Sequence, residues 1–129
     1  MQSQYYGFTE GEKMQRILLK LSGEALAGEK KHGFDEDTVR AVALQVKQLV
    51  DDGIQVGIVI GGGNFWRGRT SETIDRNKAD QIGMLATVMN CIYVSDICRY
   101  LGLKTEIFTP FVCGALCLTS ISHTFSICS

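Results

Sequence analysis

Net charge is the first thing this chain of 129 residues lacks: 13 Lys and Arg against 14 Asp and Glu leave −1 with its histidines neutral. So balanced a composition gives no electrostatic footprint for nucleic acid or an anionic membrane, and neither is expected as a partner. No window approaches the roughly 18 unbroken apolar residues of a membrane span. Met1 to Lys13 is polar with scattered aromatics and has no apolar core of the signal-peptide kind. These absences predict a cytoplasmic protein.

Zinc-like spacing is missing too. Cys113, Cys117, His123 and Cys128 are enough to hold a metal, but their spacing fits no common structural zinc pattern, and no metal site is expected. In a cytoplasmic setting the five cysteines are read as free thiols, with Cys91 and Cys98 packing as small hydrophobes on one helix. Neither His32 nor His123 is read as catalytic. The sharpest absence is local: every Asp, Glu, Lys and Arg lies at or before Glu106, and Ile107 to Ser129 carries none. That tail has no sustained helical period and no turn-bounded alternation, so it is read as a degraded or out-of-register end.

What is present before Glu106 alternates between strand and helix. Arg16 to Leu21 and Ile54 to Ile60 are short apolar runs of strand type. Between them Val39, Val42, Ala43, Val46, Leu49 and Val50 recur at helical spacing, with Asp35 as N-cap, Glu36 and Asp37 in the first turn and Gly53 as the stop. This unit predicts a crossover between parallel strands. A second helix is predicted from about Lys78 to Leu101; its apolar residues cover more than one face, as in a helix buried by the sheet and a partner subunit. Lys104 to Phe108 reads as a third strand. At 129 residues this makes one domain at most.

Two strand ends carry the chemistry. Ile60 runs into Gly61-Gly62-Gly63-Asn64, which reads either as a tight turn or as a loop whose amides can approach a phosphate. Lys20, followed by Ser22-Gly23, stands at the carboxyl end of the first strand, where open α/β sheets bind ligands; it reads as a snorkelling lysine or as a mobile charge for the same anion. The standard nucleotide fingerprints fail. Trp66 occupies the third glycine position of a dinucleotide loop, and Gly28 to Gly33 continues as Phe34-Asp35 where a P-loop needs Lys-Ser or Lys-Thr. A different phosphate-binding layer remains, built from Lys20 to Gly23, Gly61 to Asn64 and the guanidinium of Arg67.

Lys20-Leu-Ser-Gly-Glu-Ala-Leu26, Val59-Ile-Gly-Gly-Gly-Asn-Phe-Trp-Arg-Gly68 and Asp80-Gln-Ile-Gly-Met-Leu-Ala-Thr-Val-Met-Asn90 resemble the amino-terminal half of bacterial UMP kinase, of the amino acid kinase superfamily, over about residues 15–114. The resemblance implies an α/β fold, a three-layer αβα sandwich with a mainly parallel sheet. It implies that Lys20, Leu21, Ser22 and Gly23 hold ATP phosphates together with Gly63 and Arg67, with Lys20 and Arg67 catalytic. It also implies that Gly62 and Asp80 contact UMP, and that Gly28, Glu29, Lys30, Lys31, His32 and Gly33 take part in activation by GTP, with UTP a possible inhibitor. Mg²⁺ would arrive on nucleotide phosphates, and the family assembles as a hexamer. The expected activity is conversion of UMP to UDP with ATP, in pyrimidine nucleotide synthesis. Relatives acting on aspartate, glutamate or carbamate share Lys-Leu-Ser-Gly.

The family chain is about twice as long, and the resemblance fades near Ala115. The expected organisation is therefore a polar extension over 1–13, the amino-terminal part of a kinase domain over 14–114, and an aberrant tail over 115–129. A truncated or frame-shifted copy accounts for both the lost resemblance and the charge-free tail. Such a chain is expected to be inactive by itself, a non-catalytic fragment that binds nucleotide or associates through its second helix.

Overall fold

The computed structural model describes residues 16–67 and 72–109 together with the backbone of strand 124–128. The expected extension over 1–13 and most of the charge-free tail lie outside these residues. Strand β1 (Arg16–Leu21) and strand β2 (Gln55–Ile60) pair in parallel, with Ile17 opposite Val56 and Leu21 opposite Ile60. The predicted crossover helix lies between them as α2 (Glu36–Asp51), after a short helix α1 (Gly23–Ala27) and a 3₁₀ turn over Gly28–Lys30.

Local chemistry sets these boundaries. Ser22 ends β1 with extended backbone, and its hydroxyl accepts the Ala25 N–H at 3.2 Å, capping α1. Asp35 is the N-cap residue of α2 as expected, but its carboxylate makes no backbone capping bond; it accepts from the Thr38 hydroxyl and pairs with Lys30 at 3.7 Å. At the other end Gly53 takes φ 84°, and the Ile54 N–H returns to the Leu49 carbonyl at 3.0 Å. Only that left-handed glycine lets the chain drop directly into β2.

Helix α3 (Arg76–Tyr100) begins two residues earlier than the spacing predicts, because Asp75 caps it by accepting the Asn77 N–H at 3.1 Å. By length and composition α3 could cross a membrane, but Val88, Cys91, Val94 and Cys98 are buried, as in the core helix of a globular fold. Strand β3 (Glu106–Phe108) follows. Strand β4 (Thr124–Cys128) enters the sheet between β2 and β3, giving the order β1-β2-β4-β3 with every pairing parallel. The expectation of no regular element in the tail is corrected for these five residues. Parallel pairing places them beside β2, and Thr124-Phe-Ser-Ile-Cys128 alternates polar and apolar residues over a length too short to stand out in the sequence.

The core lies on one face of the sheet. Leu21, Val56, Ile58 and Ile60 meet Leu26, Val39, Val46, Cys91, Val94 and Cys98 there, all nearly or fully buried. Helices α2 and α3 contact each other as well as the sheet, so the described residues supply a helical layer and a parallel β layer of the expected α/β sandwich. On the other face Leu18 is 62% exposed. Cys98 is a free buried thiol, whereas Cys91 is disulfide-bonded, which corrects the reading of all five cysteines as free.

Candidate functional site: two strand ends and a glycine loop

Parallel pairing of β1 with β2 brings Ser22-Gly23 beside Gly61-Gly62-Gly63, at the carboxyl edge where the sequence placed a ligand. The two segments touch through backbone. The Gly61 N–H donates to the Leu21 carbonyl at 3.0 Å. A Cβ on Gly23 would stand 2.5 Å from the Gly63 nitrogen and 2.6 Å from Asn64 Oδ1, so no other residue fits there without moving the loop. Among the described residues the Gly62 and Gly63 N–H groups have no protein acceptor. The Trp66 indole N–H is buried and also lacks one.

Gly62 faces α3. Its missing Cβ would lie 2.9 Å from the Gly83 carbonyl oxygen, 3.0 Å from Thr87 Oγ1 and 3.1 Å from Ala86 Cβ. Close approach of loop to helix is a sufficient packing reason for this glycine, apart from any contact it makes with a ligand. A buried amide pair holds the loop from behind. Asn64 and Asn90 exchange hydrogen bonds at 3.0 and 2.7 Å; Asn90 Nδ2 also donates to the Gly61 carbonyl at 2.6 Å and Asn64 Nδ2 to the Gly33 carbonyl at 2.9 Å. The Gly33 N–H reaches the Asn64 carbonyl at 3.0 Å, and Phe65 makes edge contacts with His32 and Phe34. Segment Gly28–Gly33 is therefore locked to the glycine loop, with Gly28, Lys31 and Gly33 at positive φ.

Charged groups complete the edge. Arg67 pairs with the carboxylate of Glu24, and Glu24 Oε1 lies 2.8 Å from the position a Gly63 Cβ would take. The guanidinium thus reaches the glycine loop, but through a carboxylate that sequence reading left without a role. Lys20 is exposed at the end of β1, on the face that carries no helix among the described residues, and Asp80 is exposed in the second turn of α3; neither has a polar partner among the described residues. Because α3 starts at Arg76, Asp75 and not Asp80 is the helix-capping carboxylate. Glycine amides without acceptors, a guanidinium and a lysine suit a phosphate, and the Glu24 carboxylate is an anion already paired with that guanidinium. Among the described residues no group of three His, Cys, Asp or Glu is placed to hold a metal.

Residues 15–120 match the model of the amino acid kinase family. The chain belongs to that family. It is similar in structure to UMP kinase from Bacillus anthracis, with TM-score 0.80 and 31% identity over 91% of this chain and 53% of that one. UMP kinase from Ureaplasma parvum superposes with TM-score 0.78 and 28% identity, over 90% of this chain and 56% of that one. This member of the amino acid kinase family thus spans about half the length of the structures it matches.

Sequence reasoning expected the glycine loop through Asn64, Lys20 and Arg67 at this edge, and singled out neither Glu24 nor the pairing of Asn64 with Asn90. A signal was available for Asn90: a carboxamide in an otherwise apolar stretch of α3 needs a buried partner.

Proposed function

We propose that this sequence encodes the amino-terminal half of a UMP kinase, a phosphotransferase that converts UMP to UDP with MgATP in pyrimidine nucleotide synthesis in the cytoplasm. The observation that carries the reading is the joining of Gly23 to Gly63 across two parallel strand ends, with Arg67 reaching the same loop. Likeness to two UMP kinases favours UMP over aspartate, glutamate or carbamate as acceptor.

Transfer of a phosphoryl group between two polyanions needs alignment and charge neutralisation, and no covalent nucleophile from the protein. Lys20, Leu21, Ser22, Gly23 and Gly63 hold the ATP phosphates in this reading. Lys20 and Arg67 neutralise charge that builds in transfer. Gly62 and Asp80 face UMP, with Asp80 accepting a ribose hydroxyl. Mg²⁺, arriving with the nucleotide, would supply further charge neutralisation when bound. Residues Gly28 to Gly33 are the proposed site of activation by GTP, with UTP as inhibitor; their bonds to Asn64 and Phe65 give such a signal a short route to the glycine loop. A homo-oligomer, a hexamer on the family pattern, is supported by the exposure of Met84, Leu85, Met89 and Ile92 along α3.

A second reading applies to the 129-residue chain itself: spanning about half of its matches, it is a non-catalytic fragment that binds nucleotide or associates through α3. The test offers UMP, CMP, aspartate, glutamate and carbamate with MgATP to this chain and to a form carrying a complete amino acid kinase domain. Turnover of UMP by the complete form alone is expected. Turnover of aspartate but not UMP refutes the UMP reading, and turnover by the short chain that Lys20→Ala abolishes refutes the fragment reading.

A further inference from the structure

The glycine loop carries an anion of its own. Glu24 Oε1 and Cδ lie 2.8 and 3.2 Å from the position a Gly63 Cβ would take, and the same Oε1 pairs with Arg67 Nη2. A carboxylate is thereby held by a guanidinium against a turn whose Gly62 and Gly63 N–H groups donate to no protein acceptor among the described residues. Carboxylate and phosphate make the same demand on a guanidinium, an oxygen anion presented to its donor fork. Two such anions cannot share the place without repulsion.

We propose that Glu24 is a resident counter-anion of the phosphate site, which holds Arg67 against the glycine loop and swings away when a phosphate oxygen takes its place. The inference rests on the phosphate reading of that loop. The side chain is free to make the exchange: Glu24 is 47% exposed and Arg67 59% exposed, whereas Leu26 and Ala27 on the same short helix are fully buried. Rotation of Glu24 therefore needs no movement of α1. An exposed pair of this kind is weak enough to open on ligand binding. Glu24 then lowers polyphosphate affinity, because each binding event must break its pair with Arg67.

Calorimetric titration of the 129-residue chain with sodium tripolyphosphate, without divalent cations, tests this. Circular dichroism confirms the fold of each variant. Glu24→Gln, which keeps the shape and removes the charge, is expected to bind about two- to fivefold tighter than the parent, the range an exposed ion pair supports. Glu24→Ala must move in the same direction, and in an Arg67→Gln background the gain from Glu24→Gln must shrink. Equal or weaker binding by Glu24→Gln, with the parent binding, overturns the counter-anion role and leaves the phosphate reading standing. An undiminished gain in the Arg67→Gln background overturns it as well. Absence of binding by every folded variant overturns the phosphate reading and this proposal with it.

Discussion

Asn64 and Asn90 lie carboxamide to carboxamide behind the glycine loop, at 1% and 0% exposure, and each spends its remaining N–H on a loop carbonyl. One pair thus ties α3 to Gly61 and to Gly33. Asn90→Ala leaves Asn64 Oδ1 and the Gly61 carbonyl without their side-chain donor, while Asn64 Nδ2 keeps the Gly33 carbonyl, at an expected cost of about 3 kcal/mol. Thermal melting should fall by on the order of 10 °C. The double variant Asn64→Ala/Asn90→Ala should cost clearly less than the sum of the single changes, because the first already breaks the shared bonds. Additive losses would mean that the two residues act separately.

Neighbouring glycines should behave differently. Gly62→Ala puts a methyl group 2.9 Å from a carbonyl oxygen of α3, so loop or helix must shift, at about 1–3 kcal/mol. At Gly61 the nearest atom to an added Cβ is the Gly23 nitrogen at 3.6 Å, an ordinary contact, and Gly61→Ala should melt near the parent. Equal melting temperatures for the two variants would show that Gly62 is not packed against α3.

Arg67→Lys separates binding from stability. The pair with Glu24 is exposed on both sides, so its loss should cost no more than about 1 kcal/mol. Tripolyphosphate binding should weaken several-fold, because an ammonium offers a point charge where the guanidinium fork engages two oxygens. A large fall in melting temperature with unchanged binding would make Arg67 a structural residue only.

Burial pushes the Cys98 thiol up from 9.0 to about 11. The unfolded thiol ionises first, so the stability this group contributes is complete below about pH 9 and is lost as pH rises toward 11. Urea midpoints of the parent and of Cys98→Ala at pH 8 and pH 10.5 isolate the effect from other groups that titrate there. The gap between parent and variant should narrow at the higher pH. A constant gap would place the thiol in contact with water.

The sequence carried much of this fold because its signals were local. Alternation and helical spacing placed β1, α2, β2 and α3 within a few residues, and the glycine triplet marked the candidate site at their carboxyl edge. The start of α3 was misplaced because Asp75, an N-cap two residues before Asn77, outweighs the later apolar spacing. Strand β4 was missed although Thr124-Phe-Ser-Ile-Cys128 alternates polar and apolar residues, because five residues with no turn signal around them are too short a pattern, and the strand's place between β2 and β3 is fixed by pairing across the sheet. The same distinction divides the site. Gly61 to Gly63 and Arg67 are adjacent in sequence and legible together, whereas Asn64 to Asn90 and Glu24 to Arg67 are contacts between separate elements, which composition and spacing do not record.

The most direct measurement is amide NMR of the isotopically labelled 129-residue chain during titration with MgATP. The Gly23, Gly62 and Gly63 amides and the Arg67 side-chain N–H should shift together along one saturable curve, and Lys20→Ala should weaken that curve without disturbing the spectrum of the core. A folded chain whose glycine-loop resonances stay still while ATP rises to millimolar concentration, or shift unchanged in Lys20→Ala, would contradict a phosphate site built from these two strand ends.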